Sequence, residues 1–208
     1  AHFGSSRLRT PRFAQPGEAG EERQLRLELR LPAEVGLVGP PNSGKTLLLT
    51  RLTAAKAQAS AYPLSTQEPH LGALVIPGQA PLIIVDLPGL AAGAHEGKGL
   101  GDRFLRHLSR VRLILIILDS TQLPQPPVAG VVAVQELLRT FDPQNLLKTQ
   151  WVVLNKIDLL PPDFPLAELV EALQAQGWRV YAVSAATGAG LGPLSRDLAA
   201  LKEAEVDG

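Results

Sequence analysis

Gly39-Pro40-Pro41-Asn42-Ser43-Gly44-Lys45-Thr46 has the spacing G-x-x-x-x-G-K-[ST], between an apolar run and a helical segment. Its glycines let the backbone curl until successive N–H groups point inward at phosphate oxygens, with the helix N-terminus adding partial positive charge. Lys45 would then reach the β- and γ-phosphates of a nucleotide, and the Thr46 hydroxyl would ligate Mg²⁺. An ordinary Gly-rich turn before a helix has the same composition but rarely the full spacing. Asp86-Leu87-Pro88-Gly89 closes a second apolar run. A carboxylate there can hold the Mg²⁺ hydration shell, and Gly89 leaves its N–H open toward a γ-phosphate. Alone, D-x-x-G is a common turn; two strands after a phosphate loop it gains meaning.

Asn155-Lys156-Ile157-Asp158 follows a third run. A carboxylate at Asp158 can accept from guanine N1–H and the exocyclic N2 amine together. Adenine presents a lone pair at N1, so the same carboxylate would be left unpaired; the spacing therefore favours GTP over ATP. Asn155 would brace the loop and the purine, and the aliphatic stem of Lys156 would cover the base plane. Ser184-Ala185-Ala186 closes the last run, where backbone N–H groups would reach guanine O6. By itself that tripeptide carries no signal.

Positioning these groups requires an ordered sheet. Short, continuously apolar runs at 35–38, 82–85, 111–118, 151–154 and 180–183 suit strands buried on both faces of a parallel sheet. Helical patterns fall at 44–57, 100–110, 130–141, 166–176 and 191–202. The alternation predicts a three-layer α/β fold, with 71–77 as an antiparallel edge strand paired with 81–86 across Pro77-Gly78. Gly39, Asp86, Asn155 and Ser184 each follow an apolar run, along the carboxyl edge where such sheets bind ligands.

Composition narrows the classes. The 208 residues carry twenty Lys+Arg and twenty Asp+Glu, which argues against nucleic-acid binding through bulk positive charge. The absence of Cys excludes disulfides, thiol nucleophiles and Cys-ligated zinc. The longest apolar runs, near 111–118, are too short to span a bilayer. Residues 1–24 lack the apolar core of a signal peptide, so a cytoplasmic location is expected; a monomer is expected as well. Those residues read as a tail or as part of a missing domain, whereas Leu25–Leu31 alternate strictly as a half-buried strand. Residues 34–203 form the expected nucleotide-binding domain, and 204–208 a second tail.

The chain resembles the Obg subfamily of translation-factor-related GTPases over about residues 3–200. The phosphate loop has that family's G-x-P-N-x-G-K-[ST] form, including Asn42. Residues 86–108 resemble its long Gly-rich switch II and following helix, and Tyr62-Pro63-Leu64-Ser65-Thr66 is similar to its Y-P-F-T-T switch I. The resemblance implies that residues 1–33 are the end of a Gly-rich N-terminal domain. A chain without Met is then expected to be a piece of a longer protein, or an unusually short member.

By the same resemblance Thr66 closes on Mg²⁺ when the γ-phosphate is present, although Ser65 and Thr53 are open alternatives from sequence alone. Leu64 and Ser65 depart from the family pattern and put the flanking contacts in question. In Ras-like enzymes a Gln after D-x-x-G orients the attacking water. Leu90 stands there and can neither donate nor accept, so slow hydrolysis is expected. Asn42 is open to two readings, a side chain that helps hold K⁺ or one that merely suits the loop geometry. The glycines from Gly89 to Gly101 suit a switch or a passive loop. The cluster Arg103, Arg106, His107 and Arg110 suits rRNA phosphate or a solvated face, and His95-Glu96 reads as an ordinary loop pair. The partner implied by resemblance is the ribosomal large subunit or its rRNA. Two classes remain: a hydrolytic GTPase, or a nucleotide-gated binding module.

Overall fold

A computed structural model describes Gly20, residues 33–53, 70–87, Leu108, 111–123 and 127–203. The chain divides into two compact units, Ala1–Leu31 and Pro32–Gly208, and every described strand and helix belongs to the second. The strand expected at 25–31 lies outside the described residues, as does the helix expected at 100–110 apart from Leu108.

Six strands form one sheet: β1 (Val35–Val38), β2 (His70–Leu74), β3 (Leu82–Asp86), β4 (Leu113–Asp119), β5 (Thr149–Asn155) and β6 (Arg179–Ala182). Their order is β2-β3-β1-β4-β5-β6, with every pairing parallel except β2 against β3. Among the described residues, four helices of eight or more residues flank it: α1 (Lys45–Leu52), α2 (Val128–Phe141), α3 (Leu166–Gln174) and α4 (Leu191–Glu203).

The central strand shows why the runs are continuously apolar. All seven residues of β4 are buried. Leu113, Leu115 and Ile117 join the core beneath α1 and α4, with Leu48, Leu52, Leu194 and Leu198. Ile114, Ile116 and Leu118 join the opposite core beneath α2 and α3, with Val131, Leu138, Leu169 and Leu173. Period-two alternation thus feeds two cores, and each fully buried Leu or Ile contributes roughly 1.5–3 kcal/mol. The fold is the expected three-layer α/β sandwich.

Two boundaries differ from expectation. β2 ends at Leu74 and not at residue 77. Val75 is 66% exposed and Ile76 is tucked into the core. Ile76 accepts from the Gln79 backbone N–H, so the chain has already left the ladder before Pro77-Gly78. β4 starts at Leu113 because the Arg112 and Leu113 amides both donate to Glu34 O at the entry to β1.

Candidate functional site

The glycine loop runs from the end of β1 to the start of α1. A Cβ on Gly39 would lie 2.2 Å from Ile117 O on neighbouring β4, a backbone atom that cannot yield. Asn42 takes φ 62 and Gly44 φ 88, so the loop turns through left-handed positions before Leu48 N–H bonds Gly44 O to open α1. Asparagine tolerates this left-handed conformation better than most residues. Pro41 and Asn42 are exposed, and Ser43 is fully buried. Lys45 Nζ turns back across the loop and donates to Gly39 O at 3.1 Å and Pro40 O at 2.8 Å. Burial pulls the Lys45 pKa below its ordinary value, against the attraction of Asp86.

Thr46 donates its hydroxyl to Asp86 Oδ2 at 2.5 Å. Asp86 ends β3 and is 6% exposed, and its Oδ1 is buried with no hydrogen-bond partner. Burial raises its pKa; the Thr46 hydrogen bond and the charges of Lys45 and His70 oppose the rise. A hydroxyl and a carboxylate with one unpartnered oxygen form the small, hard oxygen set that suits Mg²⁺, which keeps most of its remaining ligands as water and phosphate. Leu87 continues beneath the sheet edge, buried, with its N–H on Leu37 O. Among the described residues, no three His, Cys, Asp or Glu form a metal cluster.

Asn155, the last residue of β5, joins the two ends of the site. Its Nδ2 donates to Ser43 O at 2.8 Å, and its Oδ1 accepts from Ala185 N at 3.0 Å. The side chain is 1% exposed, and each polar atom retains one further hydrogen-bonding position. Lys156 comes next with φ 66 and opens a short 3-10 turn, Ile157–Leu159, that presents Asp158 to solvent.

The turn after β6 narrows one expectation. Ser184 N–H is bonded to Ala189 O and Ala185 N–H to Asn155 Oδ1. Of the three amides proposed for guanine O6, only that of Ala186 is uncommitted among the described residues. Ser184 is fully buried; its O accepts from Gly188 N and its Oγ from Thr187 N.

Two residues that sequence reasoning passed over belong to this edge. Asp119 ends β4 opposite Asn155 and pairs with Lys156 Nζ at 2.7 Å. Its signal was present: like Asp86 and Asn155, it is the polar residue that closes an apolar run. Arg51, on α1, donates to Ala186 O at 2.8 Å, a contact with no sequence signature. Thr53, an alternative to Thr66, is buried with its hydroxyl on Leu49 O at 2.8 Å, which removes it from contention. Leu64, Ser65, Thr66, Pro88, Gly89, Leu90, His95, Glu96, Arg103, Arg106, His107 and Arg110 lie outside the described residues.

The strand order, the glycine loop between β1 and α1 and the carboxylate that ends β3 define a P-loop nucleotide-binding fold. A family model described as 50S ribosome-binding GTPase matches residues 34–156, and the chain belongs to that family. It is 44% identical over 200 residues to a GTPase Obg of Desulfovibrio desulfuricans, covering 95% of this chain and 54% of that protein. It is 47% identical over 197 residues to a GTPase Obg of Desulfatibacillum aliphaticivorans, covering 93% and 57%. The chain therefore spans about half the length of these curated relatives. Among solved structures, Era of Aquifex aeolicus bound to GDP and AlF4⁻ superposes with a TM-score of 0.63 at 28% identity, over 80% of this chain and 55% of Era. Era in complex with MgGDPNP and a 16S ribosomal RNA segment gives 0.62 at 26%, over 80% and 55%. No helix among the described residues is long and apolar enough to cross a membrane.

Proposed function

We propose that the chain binds GTP and GDP with Mg²⁺ and hydrolyses GTP slowly, as a molecular switch. The observation that carries this reading is the double hydrogen bond of Asn155. It ties the phosphate loop at Ser43 to the turn at Ala185, so one rigid edge can grip both ends of a nucleotide. Lys45 and the loop amides would hold the β- and γ-phosphates. Thr46 and Asp86 would hold Mg²⁺, joined by Thr66 in the GTP state; the bound ion neutralises charge on the phosphate oxygens. Asp158 would accept from guanine N1–H and N2. The Thr66 and Gly89 backbone would close on the γ-phosphate as water attacks in line, giving GDP and phosphate. Leu90 cannot orient that water, which supports slow turnover. In KCl against NaCl at equal ionic strength, faster hydrolysis is expected if Asn42 helps hold K⁺; equal rates remove that role.

The family description points to the ribosomal large subunit as partner; the chain is taken to act in the cytoplasm as a monomer. Displacement of labelled GDP in Mg²⁺ tests the nucleotide reading. GTP and GDP should compete, and ATP should not; equal displacement by ATP removes it. Leu90 also favours the second reading, a nucleotide-gated ribosome-binding module. Single-turnover hydrolysis with and without large subunits separates the two: hydrolysis that stays negligible in both conditions favours the module.

A further inference from the structure

We propose that Asp119 is a positioning residue for bound nucleotide: it anchors the Lys156 ammonium and thereby stretches the lysine stem along the edge where the purine lies. This rests on the guanine-nucleotide reading above. Asp119 is 8% exposed, at the carboxyl end of β4 and level with Asn155 on β5. One carboxylate oxygen accepts from the Thr121 N–H at 3.0 Å and its hydroxyl at 2.7 Å. The other holds Lys156 Nζ at 2.7 Å. Burial pulls the Asp119 pKa up, but the hydrogen bonds from Lys156 and Thr121 outweigh it and bring it below the ordinary value. The carboxylate is therefore anionic at neutral pH.

The lysine is fixed at its other end as well. Its φ of 66 is unusual for a side chain with a Cβ, and its carbonyl accepts from Leu159 N–H at 3.0 Å. Asn155, immediately before it, is locked by both polar atoms. Backbone and ammonium are thus held on adjacent strand ends, with the alkyl stem between them. A merely structural clamp would be redundant here, because β4 and β5 are already in register over seven positions, Leu113↔Thr149 to Asp119↔Asn155. What the pair adds is a lysine with few remaining rotamers, which can cover an apolar base face without being ordered by the ligand.

Dissociation of fluorescently labelled GDP from the full chain in Mg²⁺ tests this. Asp119→Asn keeps the Thr121 turn and removes the charge; release should quicken about tenfold, the usual scale for one charged hydrogen bond. Lys156→Met should quicken it similarly, and the double variant should be no faster than the faster single one. Lys156→Arg should quicken release less than Lys156→Met when Asp119 is present, and as much as Lys156→Met in Asp119→Asn. Preference for GDP over ADP should not change, since Asp158 is untouched. Wild-type release from Asp119→Asn, or rates that multiply in the double variant, overturns the proposal. Should Asp119→Asn fail to fold, Thr121→Val loosens the same carboxylate and should quicken release about threefold, an unchanged rate counting against it. A wild-type chain that binds no labelled GDP overturns the nucleotide reading instead.

Discussion

Thr46 donates its hydroxyl to Asp86 Oδ2 across forty positions of sequence, while the other oxygen of that carboxylate is buried without a partner. The arrangement is better suited to a bound cation than to the protein alone. Asp86→Asn replaces the buried charge with a neutral amide and keeps an acceptor for Thr46. Ligand-free protein should become more stable by about 1 kcal/mol at pH 7, while Mg²⁺ no longer tightens GDP binding. Urea unfolding and GDP titration with and without Mg²⁺ check both halves. A destabilised variant that retains the Mg²⁺ effect contradicts them.

The acid response of Asp86 and Asp119 should have opposite signs. The raised pKa of Asp86 means the folded state takes up its proton before the unfolded state does, so this group favours folding as pH falls through the raised value toward 3.8. The lowered pKa of Asp119 means its stabilisation is full above 3.8 and lost as pH falls through the lowered value. The advantage of Asp86→Asn over wild type should therefore shrink on acidification from pH 7 to 4. The deficit of Asp119→Asn should persist to pH 4 and shrink only below it. Unfolding free energies across that range decide it, and parallel curves for both variants contradict the assignment.

Gly44→Ala should be severe. The residue stands at φ 88, and a Cβ there would lie 2.3 Å from Asn155 Nδ2. Left-handed strain and the displaced amide together should cost about 2–4 kcal/mol of stability and remove measurable GDP binding. Thermal melts with and without GDP would show both losses.

Asn155→Ala leaves Ser43 O and Ala185 N–H without their partner inside the protein. A loss of about 2–4 kcal/mol is expected, with GDP binding weakened beyond what the melting shift explains. Chemical denaturation beside a GDP titration separates the two effects.

Arg51→Ala removes a hydrogen bond to Ala186 O from an exposed side chain, so stability should fall by about 0.5 kcal/mol or less. The turn it holds carries the Ala186 amide, the uncommitted one of the three among the described residues, and GDP affinity should drop roughly threefold. Calorimetric titration of GDP is sufficient, and an unchanged affinity would show that the turn holds its shape without Arg51.

The sheet was legible because a strand buried on both faces must be apolar at every position, as β4 is from Leu113 to Leu118. Its ends were less so: whether Val75 continues β2 depends on where Ile76 finds a pocket, which no local pattern encodes. The glycine loop between β1 and α1 was legible because its geometry is local, set by eight consecutive residues. Contacts made across the edge were not. Lys156 follows β5 while Asp119 ends β4, and Arg51 meets Ala186 only because α1 and the turn after β6 lie side by side. Asp119 ends an apolar run with no motif around it to single it out.

Ser43 and Asn155, joined by one hydrogen bond, stand 112 positions apart, and Ala185 lies a further 30 on. The order in which the chain is made therefore differs from the order in which the site is finished. Lys45 and Thr46 are synthesised early, yet the loop that contains them gains its brace only after β5 and β6 have been made and docked. A nascent chain that stops short of β5 has Lys45 and Thr46 without the frame that holds their loop in shape. On the proposed reading, nucleotide capture becomes a test of completed folding, passed only by a domain in which β6 is in place.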